Sequence, residues 1–528
     1  MAVSNLIVKD WRKIDITFGL VYLNKLELML SSYTIRLLYD FLNSRANVAC
    51  ELFCIPEKVK YPASIDLTPN NSIRSLENEM KPLEFDILGF SLQYELNVKN
   101  FFWFLEKSGI PFYSKKREEM RKNENVHIPI IIMGGPVITS NPLPLNNFVD
   151  FFFIGDAEPN LHDFLNLFLK YKEKKLEYKE LLKEASLIEG IYVPLLKNRA
   201  KRAILKSLDN SPTPINQIFF QNNERAEGFS ENFLLEINRG CPFACKFCIS
   251  SYHNRPFRNK SKENLLTSIK STANLKQFKK ISLIGSCVSA HPNFKEICLE
   301  VLKLGLNLSI PSMRIDHLSS EIVKILEASG IKSITLAPEA GSEKLRYKLG
   351  KRISDEKIIS TLREISLSKI KNVKLYFLIG LPDETHDDIE SISNMISTIS
   401  HFKFEKGAIR ANINPLIPKF NTPFEKEIDF YISDNMKILI NRLKSLQENL
   451  GKNPRVKLKF QKFKELVNDA RLQVLISLGD ENTSKFLLEY YLEGATMGAL
   501  RRVEKKLSFS LDEYLTRIKN GYKPWTLN

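Results

Sequence analysis

Three cysteines decide what the middle of this chain can become. Cys241, Cys245 and Cys248 stand in a C-x3-C-x2-C array within Glu236–Arg258, which reads EINRGCPFACKFCISSYHNRPFR. The loop opens on Gly240 and also holds Pro242 and Lys246. Apolar packing does not call for three thiols in such a loop. The spacing lets all three face one point, and soft thiolates favour iron–sulfur or zinc. A four-iron cubane held by three cysteines leaves one iron open, and a small molecule's amine and carboxylate can fill it. Zinc would need a fourth ligand, for which His253 is the nearby candidate. The chain has 7 cysteines in 528 residues. Chance gives this spacing in roughly one such chain in a thousand, so cysteine arithmetic favours a real ligand set.

The flanking pattern says where the loop sits. Apolar runs at 234–238, 280–284, 306–311, 333–337, 373–379 and 408–413 alternate with helical periods at about 262–274, 293–304, 318–329, 342–349 with 355–369, and 386–400. Six such units predict a partial (β/α)6 barrel, whose function lies at the carboxyl ends of its strands. Polar residues recur at those ends. The first carries the cysteines and the second Gly285-Ser286. The third carries Arg314 and Asp316, the fourth Glu339, and the fifth Gly380 and Glu384.

Cys241-Pro-Phe-Ala-Cys245-Lys-Phe247-Cys248, with an aromatic before the third cysteine, resembles the signature of the radical SAM superfamily. The resemblance extends over all six barrel units. It implies a [4Fe–4S] cluster on Cys241, Cys245 and Cys248, with S-adenosylmethionine (SAM) chelating the open iron. It also implies roles for other residues. Phe247 packs near the adenine, and the backbone of Gly285 and Ser286 meets the methionyl group. Glu339 holds the ribose hydroxyls, and Lys351, or Arg352 beside it, pairs the carboxylate. Arg314 serves SAM or substrate. Cys50, Cys54 and Cys298 read as core cysteines. So does Cys287, although it sits at a strand end.

Residues 1–190 read as a second α/β unit, a doubly wound, Rossmann-like parallel sheet. Its strands at 127–133 and 150–154 end in Gly134-Gly135 and Gly155-Asp156, where ligands of such sheets bind. The segments LGFSLQYELNVKNFFWFLEKSGIP, IIIMGGP and FFFIGDAEP resemble the cobalamin-binding domain that precedes many radical SAM cores. That likeness makes Gly134, Gly135 and Gly155 cofactor-contacting positions. The D-x-H-x-x-G motif, whose histidine ligates cobalt, is absent, and Tyr22-Leu-Asn-Lys-Leu stands in its place. Two readings stay open: cobalamin bound without that histidine, or the fold kept without the cofactor.

The remaining segments fill out the organisation. Ser114–Asn125 reads as a charged loop and Tyr171–Glu184 as a charged amphipathic helix. Residues 191–232, with Pro194, Pro212, Pro214 and the polar run Gln221–Gly228, read as a linker. The barrel occupies 233–426. Residues 427–528 change to long amphipathic stretches and predict a mostly helical appendage. No window reaches the ~18 apolar residues of a membrane span. The amino terminus lacks a signal-peptide pattern, and few cysteines fit a reducing cytoplasm. The net charge is +16, which fits nucleic acid weakly because the excess is spread out, with local runs at Lys197–Lys206 and Arg455–Lys464.

The sequence therefore predicts a cytoplasmic radical SAM enzyme that draws electrons from a donor such as ferredoxin or flavodoxin. It would abstract hydrogen from an unactivated carbon to modify it, and if cobalamin is bound, methylation of that carbon follows. The alternatives are cobalamin-independent radical modification of RNA or protein, and a non-catalytic cluster- or cobalamin-binding sensor.

Overall fold

The computed structural model describes residues 3–65, 73–123, 126–221, 228–272, 275–458 and 462–527. They form two compact units. The first is Met1–Glu231 with Leu475–Ser510 and Lys523–Asn528, and the second is Asn232–Val474 with Leu511–Tyr522. Among the described residues no helix is long and apolar enough to cross a membrane.

At the centre of the first unit are β1 (Ile16–Tyr22), β2 (Val48–Cys54), β3 (Ile87–Ser91), β4 (Ile130–Gly134), β5 (Phe151–Phe153) and β6 (Ile191–Tyr192). They lie in the order β2-β1-β3-β4-β5-β6. All pair in parallel except β6, which closes the edge antiparallel to β5. The first five strands are buried almost throughout. Unbroken apolar runs are what strands covered on both faces require. The expected doubly wound sheet is thus present. Its order reverses between β1 and β3, so the ends at Tyr22 and Ser91 flank the crevice where such sheets take ligands.

Three stretches of this unit differ from the sequence reading. Ser114–Arg121, expected as a loop, is a helix; residues 124–125 of that segment lie outside the described residues. Its anchor is polar: fully buried Arg117 donates to the carbonyls of Pro111, Phe112 and Phe148, each at 2.8 Å, beside buried Asp150. Tyr171–Glu184 divides between two helices, Leu161–Lys172 and Tyr178–Leu187, and the second buries Leu181, Leu182 and Ala185. The stretch expected as a linker packs into the unit. Beyond β6, Ala203 bridges Gly155, and Phe219–Phe220 pairs with Val3–Ser4. Most of the polar run Gln221–Gly228 lies outside the described residues. The unit's carboxyl-terminal segment is tied on by Asn141, which donates to the Gly479 carbonyl at 2.8 Å, and by Ser484, which donates to the Pro144 carbonyl at 2.9 Å.

The second unit contains β7 (Phe233–Glu236), β8 (Ile281–Ile284), β9 (Leu308–Ser309), β10 (Ser333–Glu339), β11 (Asn372–Ile379), β12 (Ile409–Pro415) and β13 (Val456–Leu458). They run parallel and in chain order. β7, β8 and β9 form one ladder and β10 to β13 another, and a Met313–Leu336 bridge joins the two. Among the described residues no ladder links β13 to β7, so the barrel is partial. The six expected strands are all present. The seventh, β13, lies in what reads from sequence as a basic run.

After β7, β9, β10 and β11 the chain restarts its helices in the same way. Ser261, Ser319, Ser342, Ser354 and Thr385 each accept a backbone N–H of the first helical turn. Each such cap is worth about 1 kcal/mol. They fix the helices that hold the strand ends, and so the mouth of the barrel.

Candidate active site

The cysteine loop leaves the carboxyl end of β7 and is closed at its base. Asn238–Arg239 pairs antiparallel with Arg258–Asn259, and the Lys260 amide donates to the Ile237 carbonyl at 2.9 Å. Inside the loop, the Cys248 amide donates to the Cys245 carbonyl at 3.0 Å, and Ile249–Tyr252 forms one helical turn.

A second segment fastens the loop from the β10 side. The Lys246 amide donates to the Leu349 carbonyl at 2.9 Å. Gly350, at φ +79°, lies so close that an added Cβ would stand 2.8 Å from the Ala244 carbonyl oxygen. Only glycine takes that backbone conformation without strain and fits that space. The Lys348-Leu-Gly-Lys351 segment is thereby pressed onto the cysteines.

Lys351 is buried and points inward, where its Nζ meets Glu339 Oε1 at 2.9 Å; Arg352 beside it is exposed. Glu339, the last residue of β10, has φ +72°. A non-glycine residue held there carries strain of about 1–3 kcal/mol, which persists where the surroundings impose it. Arg314 lies 3.7 Å from the Phe243 ring centroid and pairs with Asp316 at 2.8 Å. It interacts electrostatically with Cys241, Cys245 and Cys287. Phe247 packs against Ala340, Leu345, Leu349, Leu381, Leu416 and Phe424 at the strand mouths. The residues predicted from the ends of β7 and β10, and from the loop after β9, are thus brought to one place.

The thiols divide by environment. Burial pushes Cys298 and Cys54 up to about 12 and raises Cys50 well above the ordinary thiol range. Those three are inert core thiols, as expected. Burial also raises Cys245, against Lys351 and Arg314. Cys241 is lowered to about 6, chiefly by a hydrogen bond with Cys287, whose own thiol is raised. Cys287, expected as a core cysteine at a strand end, is buried, with its carbonyl accepting from Asn238 Nδ2 at 2.8 Å.

His253 is buried with Nε2 2.8 Å from the Phe420 carbonyl. Among the described residues no three His, Cys, Asp or Glu side chains are close enough to share one ion. Zinc holds sulfur at about 2.3 Å and so needs its sulfurs within about 4 Å of each other. A cluster binds each cysteine to a different iron and tolerates wider spacing.

The predicted glycines hold their own surprises. An added Cβ at Gly285 would collide with Asn238. At Gly135, φ +110°, it would lie 2.6 Å from the Leu92 carbonyl oxygen. At Gly155 it would lie 2.6 Å from Arg202 Cγ and collide with the Ala203 carbonyl. The protein's own chain occupies these spaces. Gly134 alone has ordinary contacts, with Phe153 at 3.6 Å. Ser286 is exposed.

Comparison with known proteins matches both units. Residues 34–194 match the family model for radical SAM proteins, N-terminal, and residues 235–396 match that for the radical SAM superfamily. An uncharacterized protein of Methanocaldococcus jannaschii is 29% identical over 452 residues, 85% of this chain and 89% of that one. An uncharacterized methyltransferase of Pyrococcus horikoshii is 24% identical over 282 residues, 51% of this chain and 57% of that one. Among solved structures, TsrM from Kitasatospora setae, a radical SAM methyltransferase with cobalamin and a [4Fe–4S] cluster bound, aligns with a TM-score of 0.52 at 14% identity. That alignment covers 78% of this chain and 74% of that one. The cobalamin-dependent radical enzyme OxsB aligns at 0.52 with 18% identity, over 86% of this chain and 60% of that one. These likenesses are of fold. With its amino-terminal and core domains matched in order along one chain, the protein belongs to the radical SAM superfamily and is an enzyme.

Proposed function

We propose that this protein uses a [4Fe–4S] cluster and SAM to modify an unactivated carbon, with methylation as the reaction. The observation that carries the reading is the convergence of the cysteine loop, the Lys351–Glu339 pair and Arg314 at one barrel mouth.

Cys241, Cys245 and Cys248 would hold the cluster. When bound, the cluster supplies the electron that cleaves SAM to a 5′-deoxyadenosyl radical. Lys351 and Glu339 compensate each other at 2.9 Å. A ligand carboxylate would take over Lys351 and free Glu339 to accept from hydroxyls. Phe247 offers an apolar face for an adenine, and Arg314 keeps a fixed cation beside the thiolates. A low-potential donor such as ferredoxin or flavodoxin is the expected partner.

For the first unit, the solved relatives with cobalamin bound support a corrinoid, and the residues limit how it is held. The loop after β1 has no histidine, and Gly135 and Gly155 are filled by backbone. Histidine ligation from that loop does not fit. The donors at the switch point are Tyr22, Asn24, Ser91 and Gln93. The test is retention of hydroxocobalamin by apo protein through gel filtration, with cobalt EPR on the bound fraction. Retention at about one per chain with no imidazole nitrogen on cobalt supports this reading. No retention moves the proposal to cobalamin-independent radical modification of RNA. That second reading has its own support in a tRNA-2-methylthio-N(6)-dimethylallyladenosine synthase of Bacillus anthracis, 24% identical over 318 residues and 56% of each chain.

A further inference from the structure

We infer that the half-open face of the β10–β13 ladder holds the phosphate group of a small-molecule substrate whose reacting carbon lies at the barrel mouth. This inference rests on the radical SAM reading of that mouth and names a substrate class for it.

Strand alternation selects the face. Along β11 and β12 every second residue is buried, and the residues between are exposed or half-buried. Successive side chains of a strand point to opposite faces. β10 alternates likewise, and Glu339 at the mouth shares the half-open side with Thr335. Register carries that side across the ladder. Thr335 stands opposite Lys374, Lys374 opposite Arg410, and Arg410 opposite Lys457. Three cations thus lie in one row on adjacent strands. At about 4.8 Å between strands, the row is about 10 Å wide.

Like charges this close repel, and nothing in the ladder offsets them. Among the described residues, Lys374, Arg410 and Lys457 make no ion pair. The acid on this side of the ladder strands is Glu339, which Lys351 already holds at 2.9 Å. Arg410 and Lys457 are exposed and Lys374 is half-buried, so a ligand can reach them. Lys457 lies along Gly407, where an added Cβ would meet its Cε at 2.5 Å.

Chemistry then names the ligand. A carboxylate brings one negative charge, whereas a phosphate ester brings about 1.5–2 and three acceptor oxygens. An arginine fork between two lysines suits the phosphate. The row is short for the extended groove of a single-strand nucleic-acid binder. Glu339 stands level with Phe377, three residues beyond Lys374, so the row lies about 10 Å below it. Tyr376 and Asn412, opposite each other one level nearer the mouth, offer neutral donors between. A substrate on this face therefore carries its phosphate about 10 Å from its reacting carbon.

The experiment titrates inorganic pyrophosphate into the reconstituted full chain by calorimetry at low ionic strength. The proteins are wild type, Lys374→Gln, Arg410→Gln, the double variant and Lys303→Gln. Lys303 pairs with Glu300 at 2.7 Å away from the row and controls for lost charge. Wild type and Lys303→Gln should bind about one pyrophosphate per chain. Each row variant should bind about 10-fold more weakly, and the double variant more weakly still. No binding by wild type overturns the inference. So does wild-type affinity in both single variants, or an equal loss in Lys303→Gln. Displacement of bound pyrophosphate by a short single-stranded RNA overturns the small-molecule assignment. The titration does not depend on SAM cleavage. An iron-loaded wild type that binds pyrophosphate as expected but releases no 5′-deoxyadenosine from SAM would overturn the radical SAM reading instead.

Discussion

Replacing Lys351 by Met keeps most of the side chain's length and removes its charge, leaving Glu339 without its partner cation. At 2.9 Å, the pair's Coulomb attraction is about 6 kcal/mol at an effective dielectric of about 20. The two side chains are 8% and 14% exposed, so desolvation offsets much of that attraction. The net cost of leaving one partner unpaired is about 1–3 kcal/mol. If both residues contact SAM, Lys351→Met and Glu339→Gln should each weaken its binding by about 5-fold to 150-fold. Because the two already pair, their effects should not add. The double variant should fall short of the sum by at least about 0.5 kcal/mol. Anaerobic calorimetric titration of SAM into reconstituted wild type, both single variants and the double variant measures all four corners. Unchanged affinity in both single variants would show the SAM site to be elsewhere. Full additivity would refute the claim that the pair acts as one unit.

Other expectations follow from the same geometry. Cys241→Ala, Cys245→Ala or Cys248→Ala should each abolish iron uptake, whereas Cys50→Ala, Cys54→Ala and Cys298→Ala should retain it; stoichiometric zinc without iron in anaerobic wild type would refute the ligand set. Gly350→Ala should cost about 2–4 kcal/mol in urea unfolding, because it adds left-handed strain to a backbone clash beneath the cysteine loop, and wild-type stability would refute that packing. Gly135→Val should destabilise the protein whether or not a corrinoid is present, since its Cβ meets Leu92 rather than a ligand space. Glu77 as a residue is half-buried, but its Oε1 is fully buried. Burial raises its carboxyl from an ordinary 4.5 to about 8. The folded state therefore keeps a proton that the unfolded chain gives up. Stability from this group is full below about pH 4.5 and lost as pH rises through about 8, a change of about 1–3 kcal/mol. Urea midpoints across that window should slope downward in wild type and flatten in Glu77→Gln.

Sequence and structure agree best where the signal is local. Each expected barrel strand is an apolar run at a helix-to-strand boundary, and the three cysteines declare themselves by spacing. β13 carries no local signal, because Val456–Leu458 is a three-residue strand in a run that holds Arg455, Lys457 and Lys459. Its pairing with β12 defines it, and pairing is not local. The helix Ser114–Arg121 has no apolar stripe to read. It is held by Arg117 reaching three carbonyls and Asp150, which periodicity does not register. Glu339 and Lys351 were legible singly from family likeness, but their mutual pairing was not, because it depends on the turn at Gly350. At Gly135 and Gly155 the sequence predicts room for a ligand, and the structure puts backbone there. Glycine serves equally where two backbones touch, and only coordinates separate those uses.

The most direct measurement is of SAM cleavage. Reconstituted protein, reduced with dithionite or titanium citrate under strict anaerobiosis, is incubated with SAM, and 5′-deoxyadenosine is followed by liquid chromatography and mass spectrometry. The account predicts slow release without added substrate, abolished in Cys241→Ala, Cys245→Ala and Cys248→Ala. A fully iron-loaded wild type that binds SAM yet forms no more 5′-deoxyadenosine than its cysteine variants would contradict it.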